Sequence, residues 1–318
     1  MIPSYSPSLV QKGITPLPIH KVVVPVAGLG TRLLPTTRAL PKEMLPVGRI
    51  PVIQHVVEEM ADAGLDRVLF VTSRLKTIIE NQFDNTTGLI RHLGESGRLE
   101  DLGDFDYRQR GIEFFYARQQ AVPGATAPGG TGEAILTGES FVGDEPFVVA
   151  YGDTIIRSER SPSLVDRMVQ AHTESDALVT IAVRTVPEDA THLYGIVQPA
   201  DGADPAQGIF PISGIVEKPS AGSAPTTLAV SARYVYSPEI FDSIRAVNDE
   251  DAEQGITSAI RHILRQGHRV QCVSLEEGEH RYDIGNHESY YKAFIDYALS
   301  DPECGQAIRD HIQRKATS

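Results

Sequence analysis

The segment that most constrains this chain is Lys21-Val22-Val23-Val24-Pro25-Val26, followed at once by Ala27-Gly28-Leu29-Gly30-Thr31-Arg32. A β-branched run without polar alternation reads as a strand buried on both faces. Such a strand needs a covering layer on each side, so it implies a sheet sandwiched between helices. The glycines end the run, and the pattern then changes to a helical period. Over residues 52–63, Val52, Ile53, Val56, Val57, Met60 and Ala61 share one stripe, and Gly64 supplies a stop. The alternation continues, with strand patterns at 67–72, 112–117, 146–150 and 177–183 and helical patterns at 76–83, 131–140 and 163–173. This predicts an α/β chain with a doubly wound, mostly parallel mixed sheet of Rossmann-like type.

Beyond Val183 the order is less regular. Residues 194–198, 214–217, 228–236 and 269–275 read as strands, and 238–247, 257–266 and 286–299 as helices. Residues 85–110, 121–130 and 202–208 read as loops or insertions, and 309–318 as a frayed tail.

Charge narrows the function classes. The 318 residues carry a formal net charge of −13, which gives no electrostatic case for nucleic-acid binding. An anionic ligand would need a local cationic pocket acting against that field. The two cysteines, Cys272 and Cys304, provide neither a zinc framework nor a C-x-x-C pair; Cys272 lies in an apolar run and reads as core. The first twenty residues carry four prolines and no apolar h-region, and no apolar run approaches the ~18 residues of a spanning helix. The expectation is a cytoplasmic protein without a membrane partner.

The turn after the first strand offers chemistry. Its G-x-G lacks a third glycine, since Leu33 stands there, and no G-x-x-x-x-G-K-[ST] occurs. Dinucleotide binding is therefore disfavoured. Free backbone amides and an arginine two residues past Gly30 suit phosphate oxygens, although a plain βα turn with a surface Arg32 would read the same way. Lys42, held between Pro41 and Pro46, is a second candidate cation.

The segment from Val24 through Val47, VPVAGLGTRLLPTTRALPKEMLPV, closely resembles the signature of bacterial UTP–glucose-1-phosphate uridylyltransferases, within the sugar-phosphate nucleotidylyltransferases. Blocks in the same order recur at Arg118-Gln119, Gly152-Asp153, Tyr194-Gly195, Val216-Glu217-Lys218-Pro219 and Asp283-Ile284-Gly285-Asn286. The resemblance implies a nucleotidyltransferase domain over 21–300, after an N-terminal extension (1–20) and before a C-terminal tail (301–318). Its nucleotide half would cover about 21–155 and its sugar-phosphate half about 156–300.

It implies roles as well. Arg32, Lys42 and Lys218 would be catalytic cations. Ala27, Gly28, Gly30, Gln119 and Gly130 would bind the nucleotide, with the Gln119 amide pairing to the imide edge of the base. Gly195, Glu217 and Lys218 would bind the sugar phosphate. Asp153 ends a strand pattern, where ligands sit in open α/β sheets, and with Asp283 would hold Mg²⁺. Glu217 and Lys218 can serve one ligand only if the strand ends or twists at Pro219, because alternate residues face opposite sides. The implied substrates are UTP and glucose 1-phosphate, the implied product UDP-glucose, and the implied assembly a homo-oligomer, dimer or tetramer.

The match has departures. Gly130-Thr131-Gly132-Glu133 replaces a Gly-Leu-Gly-His-type run, residues 121–129 form a longer segment than usual, and Glu253 to Ser258 follows the family pattern only loosely. An enzyme using dTTP or another hexose 1-phosphate, or a non-catalytic regulatory paralogue, stays open on sequence alone.

Overall fold

The computed structural model describes residues 19–84, 87–98, 107, 110–120, 129–248 and 255–316. The extension 1–18, the segment 121–128 and the first part of the altered 253–258 stretch lie outside the described residues.

Thirteen strands are described: β1 (Lys21–Pro25), β2 (Pro46–Val47), β3 (Ile50–Pro51), β4 (Arg67–Thr72), β5 (Glu113–Arg118), β6 (Phe147–Ala150), β7 (Thr154–Arg157), β8 (Val179–Thr185), β9 (Gly195–Pro199), β10 (Ile209–Glu217), β11 (Leu228–Tyr236), β12 (Val270–Ser274) and β13 (His280–Asp283). Nine of them form one sheet in the order β5-β4-β1-β6-β11-β8-β12-β10-β9. The strands β5, β4, β1 and β6 run parallel, as do β8 and β12. Strand β11 enters antiparallel between β6 and β8, and β9 and β10 complete the far edge antiparallel. Apart from the main sheet, β7 pairs with β13 and β2 with β3.

The helices are α1 (Val52–Asp62), α2 (Thr77–Phe83), α3 (Thr87–Glu95), α4 (Thr131–Thr137), α5 (Glu139–Val142), α6 (Leu164–Thr173), α7 (Ile240–Asn248), α8 (Gly255–Arg265), α9 (His287–Ser300) and α10 (Gly305–Ala316). They cover both faces, as the β1 run required. Val22 and Val24 pack with Ile53, Val56 and Met60 of α1 and Met168 of α6. Val23 faces the other way, into Ile135 of α4, Phe241 of α7 and Ile260 of α8. Burial of large apolar side chains at ~25 cal/mol per Å² is the main stabilising term on each face.

Local signals account for several boundaries. Ser163 caps α6, accepting from the Asp166 amide at 3.2 Å while the Asp166 carboxylate accepts from the Ser163 amide at 2.9 Å, a reciprocal box that satisfies two end groups. Asn286 and Ser289 do the same for α9.

Two expectations are corrected. Residues 309–316 are no frayed tail but belong to α10, which runs to Ala316, and the turn before it is held by the Asp301 carboxylate, which accepts from the amides of Glu303 and Cys304 and from Arg49. Within the stretch read as loop, residues 87–95 form α3. The two-residue strands β2 and β3 were too short to show a period of two.

A third apolar cluster positions the phosphate turn. Leu33, Leu45, Val47 and Val52 pack with Ile155, Ile284 and Ala293 of α9. Tyr290 Oη donates to the Pro46 carbonyl at 3.1 Å. The C-terminal region thereby clamps the segment carrying Arg32 and Lys42.

Candidate active site

The site lies at the carboxyl ends of β1 and β6, the place open α/β sheets reserve for ligands. It is a cleft with two lobes. The larger, about 510 Å³, is lined by Gly30, Arg32, Gly195, Glu217, Lys218 and Asp283 among others. The smaller, about 250 Å³, includes Ala27, Gly28 and Gln119. Lys42, Gly130, Thr131, Tyr151 and Asp153 border both. The candidate site residues of the sequence thus line this one cleft, but they do not divide cleanly: Gly30 and Arg32, expected on the nucleotide side, line the larger lobe with Gly195, Glu217 and Lys218.

The turn after β1 is built for close approach. Gly30 sits at φ 67°, in the left-handed region that glycine adopts without a Cβ penalty, and Thr37 Oγ1 donates to its carbonyl at 2.8 Å. Gly28 faces open space. Arg32 is exposed at the cleft and makes no ion pair among the described residues, so its guanidinium is available to an anion.

Asp153 and Asp283 are brought together by backbone pairing. Asp283 closes β13 opposite Thr154 of β7, and the Ile284 amide donates to the Asp153 carbonyl at 2.9 Å. Gly152 is required by packing: a Cβ there would meet Val26 Cγ1 at 2.4 Å. Lys42 Nζ donates to the Asp153 carboxylate. Burial opposes the Lys42 charge, but Asp153, Glu43 and Asp283 together outweigh it and hold the ammonium above its ordinary value. For Asp153 burial acts upward and Lys42 downward, with the net below the usual carboxylate range. Both groups are charged at neutral pH.

No cluster of three or more His, Cys, Asp or Glu occurs among the described residues. Two converging carboxylates suit a hard cation that completes its shell with water and phosphate oxygens, as Mg²⁺ does, and do not suit a structural zinc.

The larger lobe answers the geometric condition set by the sequence. Strand β10 ends at Glu217, and Lys218 turns out at φ 43°. That left-handed turn, costly for a non-glycine residue, brings both side chains to the same cleft, with Lys218 Nζ 3.8 Å from Glu217 Oε1. Gly195 lies opposite Glu217 in the β9–β10 register, and a Cβ there would come within 3.1 Å of Glu217 Oε2. Ala232, at φ 58° in a β11 irregularity, also lines the lobe.

In the smaller lobe, Gln119 Nε2 donates to the Gly129 carbonyl at 3.0 Å. That ties the amide to the entry of α4 and leaves its carbonyl oxygen without a protein donor among the described residues. Sequence reasoning did not single out Lys76, Thr257 or Arg281. Lys76 forms a buried pair with Glu43 at 2.8 and 2.9 Å beneath the lysine-bearing turn. Thr257 stands in the loosely matching stretch from Glu253 to Ser258 without having been given a role, while no motif marks Lys76 or Arg281.

Residues 21–300 match the nucleotidyl transferase family, and the chain belongs to it. Among curated relatives, the UTP–glucose-1-phosphate uridylyltransferase of Staphylococcus epidermidis is 36% identical over 299 residues, covering 93% of this chain and 98% of that protein. UTP–glucose-1-phosphate uridylyltransferase 1 of Staphylococcus saprophyticus is 38% identical over 298 residues with the same coverage. Among solved structures, the UTP-bound UGPase from Acinetobacter baumannii superposes with a TM-score of 0.82 at 31% identity, over 93% of this chain and 99% of that one. A UDP-glucose pyrophosphorylase complexed with UDP-glucose gives 0.74 at 32% identity, over 89% and 100%.

Proposed function

We propose that this chain is a UTP–glucose-1-phosphate uridylyltransferase, converting UTP and α-D-glucose 1-phosphate to UDP-glucose and pyrophosphate. The observation that carries this reading is the two-lobed cleft, whose lobes meet at Lys42 and Asp153. It is supported by relatives of that name, matched along almost their whole length.

A phosphate oxygen of glucose 1-phosphate attacks the α-phosphorus of UTP in line. A P–O bond forms there, the bond to the bridging oxygen of the β-phosphate breaks, and pyrophosphate departs. The substrate supplies the nucleophile, so the protein acts by positioning and charge neutralisation. Arg32 and Lys42 meet the triphosphate. Gln119 reads the base edge, and Ala27, Gly28 and Gly130 let the backbone approach the nucleotide. Lys218 holds the phosphate of the sugar phosphate, while Glu217 accepts from sugar hydroxyls across the space kept by Gly195. Asp153 and Asp283 would hold Mg²⁺, which when bound neutralises phosphate charge.

No described helix is long and apolar enough to cross a membrane. The exposed Tyr291, Phe294 and Ile295 on α9 support the expectation of a homo-oligomer, which sedimentation velocity checks. The functional test is pyrophosphate release over a matrix of nucleoside triphosphates and hexose 1-phosphates. UTP with glucose 1-phosphate should give the highest kcat/KM, and a dTTP or galactose 1-phosphate optimum would replace this reading.

A further inference from the structure

Arg281 lies on β13, two residues before Asp283, and lines the larger lobe. Its side chain is only 7% exposed. One contact is a loose ion pair, Nη2 to Asp283 Oδ2 at 3.4 Å. Another is the Tyr194 ring, whose centroid is 5.5 Å from the guanidinium carbon. The buried Nε finds no acceptor among the described residues. Tyr194 also has Arg184 at 5.4 Å from its centroid, and the buried Arg184 Nε likewise lacks an acceptor. Two guanidiniums thus share one aromatic ring, in a chain whose net charge is −13. A buried donor without a partner is costly, and native structures rarely keep one without a use.

The location narrows the use to a phosphate, in a lobe that Gly30 and Arg32 also line. Arg281 belongs to the lobe of Gly195, Glu217 and Lys218, and does not border the smaller lobe of Ala27, Gly28 and Gln119. The ring it stacks on is continuous with the lysine turn: the Lys218 amide donates to the Tyr194 carbonyl at 3.0 Å. A planar guanidinium fork held against an aromatic face matches phosphate geometry.

We infer that Arg281 is a further catalytic cation for the reaction proposed above, donating to the phosphate of the incoming sugar phosphate opposite Lys218. The inference rests on that functional reading and deepens it. Two cations around the attacking phosphate lower its repulsion from the triphosphate, which one exposed lysine does less well. Tyr194 backs the fork, and Arg184 Nη2 donates to the Tyr194 hydroxyl at 3.3 Å.

The test compares Arg281→Gln and Arg281→Lys with wild type. In Arg281→Gln, KM for glucose 1-phosphate should rise about tenfold or more, the scale of a lost charge-assisted contact, with KM for UTP within about twofold. Arg281→Lys should recover part of the loss. If Arg281 only anchors Asp283, the loss falls on kcat and on the Mg²⁺ requirement while KM for glucose 1-phosphate is unchanged, and the inference is overturned. A measurement on the wild-type protein covers the case where the variants do not fold. The Arg281 Nε–H resonance should shift on titration with glucose 1-phosphate; no shift, or a shift only with UTP, rejects the role. A wild-type protein that makes no UDP-glucose sinks the functional reading and this inference together, whereas an active wild type with an unchanged Arg281→Gln sinks the inference alone.

Discussion

Thr257 Oγ1 donates to Glu217 Oε2 at 2.8 Å, joining the start of α8 to the end of β10 at the sugar side of the cleft. Thr257 is buried, so the bond is sheltered, and it fixes which carboxylate oxygen faces the lobe. Hydrogen bonds to charged groups contribute about 1.5–3 kcal/mol. Thr257→Val should therefore raise KM for glucose 1-phosphate about tenfold or more, and Thr257→Ser should restore it. Glu217→Ala should go further and narrow the discrimination between glucose and 2-deoxyglucose 1-phosphates. Equal losses for both sugars would leave Glu217 a purely structural acid.

Asp153 carries the metal assignment. Asp153→Asn keeps the side-chain volume but gives up the charge that faces Lys42. Turnover should fall by several orders of magnitude with Mg²⁺ present, and chelation with EDTA should silence the wild type. Circular dichroism would show the fold retained. A near wild-type rate in this variant would remove Asp153 from the metal site.

Arg233 supports the cleft from behind. It is fully buried, donates to both Glu59 oxygens at 3.0 and 2.6 Å, and reaches the Thr154 carbonyl at 2.8 Å. Removing one partner of such a pair strands the other charge, at about 3–5 kcal/mol. Urea unfolding of Arg233→Met should show a loss of that size, and a loss below about 1 kcal/mol would mean that Glu59 is neutral or solvated.

His172 should govern part of the acid stability. Its ring bridges Thr180 Oγ1 at 3.0 Å and Ser237 Oγ at 3.2 Å. Gln271 Nε2 also donates to Thr180 Oγ1, at 3.1 Å. Burial lowers the imidazole from 6.5 to about 4. The unfolded chain binds the extra proton first, so stability is complete above pH 6.5 and falls as pH drops towards 4. The slope sums to on the order of 3 kcal/mol. Between pH 7.5 and 4.5, His172→Gln should lose less melting temperature than wild type; a parallel loss would assign the acid sensitivity elsewhere.

The main alternation from β1 to β8 was legible because its longer elements show their period, and Val22 to Val24 can only be buried on both sides; the short β2, β3 and β7 were not. The antiparallel entry of β11 between β6 and β8 was not, since nothing in 228–236 states its neighbours or direction. The site divides in the same way. Arg32, Lys42, Asp153, Glu217, Lys218 and Asp283 stand in compact motifs whose order survives in the chain. Arg281 and Thr257 act through partners far away in sequence: Thr257 meets Glu217 across forty positions, and Arg281 meets Tyr194 only because β13 pairs with β7. Helix α10 was missed for a related reason, as its anchor, Arg49, lies in the β2–β3 turn at the opposite end of the chain.

The central claim, that a sugar phosphate oxygen attacks the α-phosphorus of UTP in this cleft, is tested most directly by following ¹⁸O. Glucose 1-phosphate labelled at its non-bridging phosphate oxygens is incubated with UTP, Mg²⁺ and the protein, and both products are weighed by mass spectrometry. The account predicts that UDP-glucose retains every labelled oxygen and that pyrophosphate carries none. Label in the pyrophosphate, or unlabelled UDP-glucose beside labelled inorganic phosphate, would show cleavage on the sugar side and contradict it.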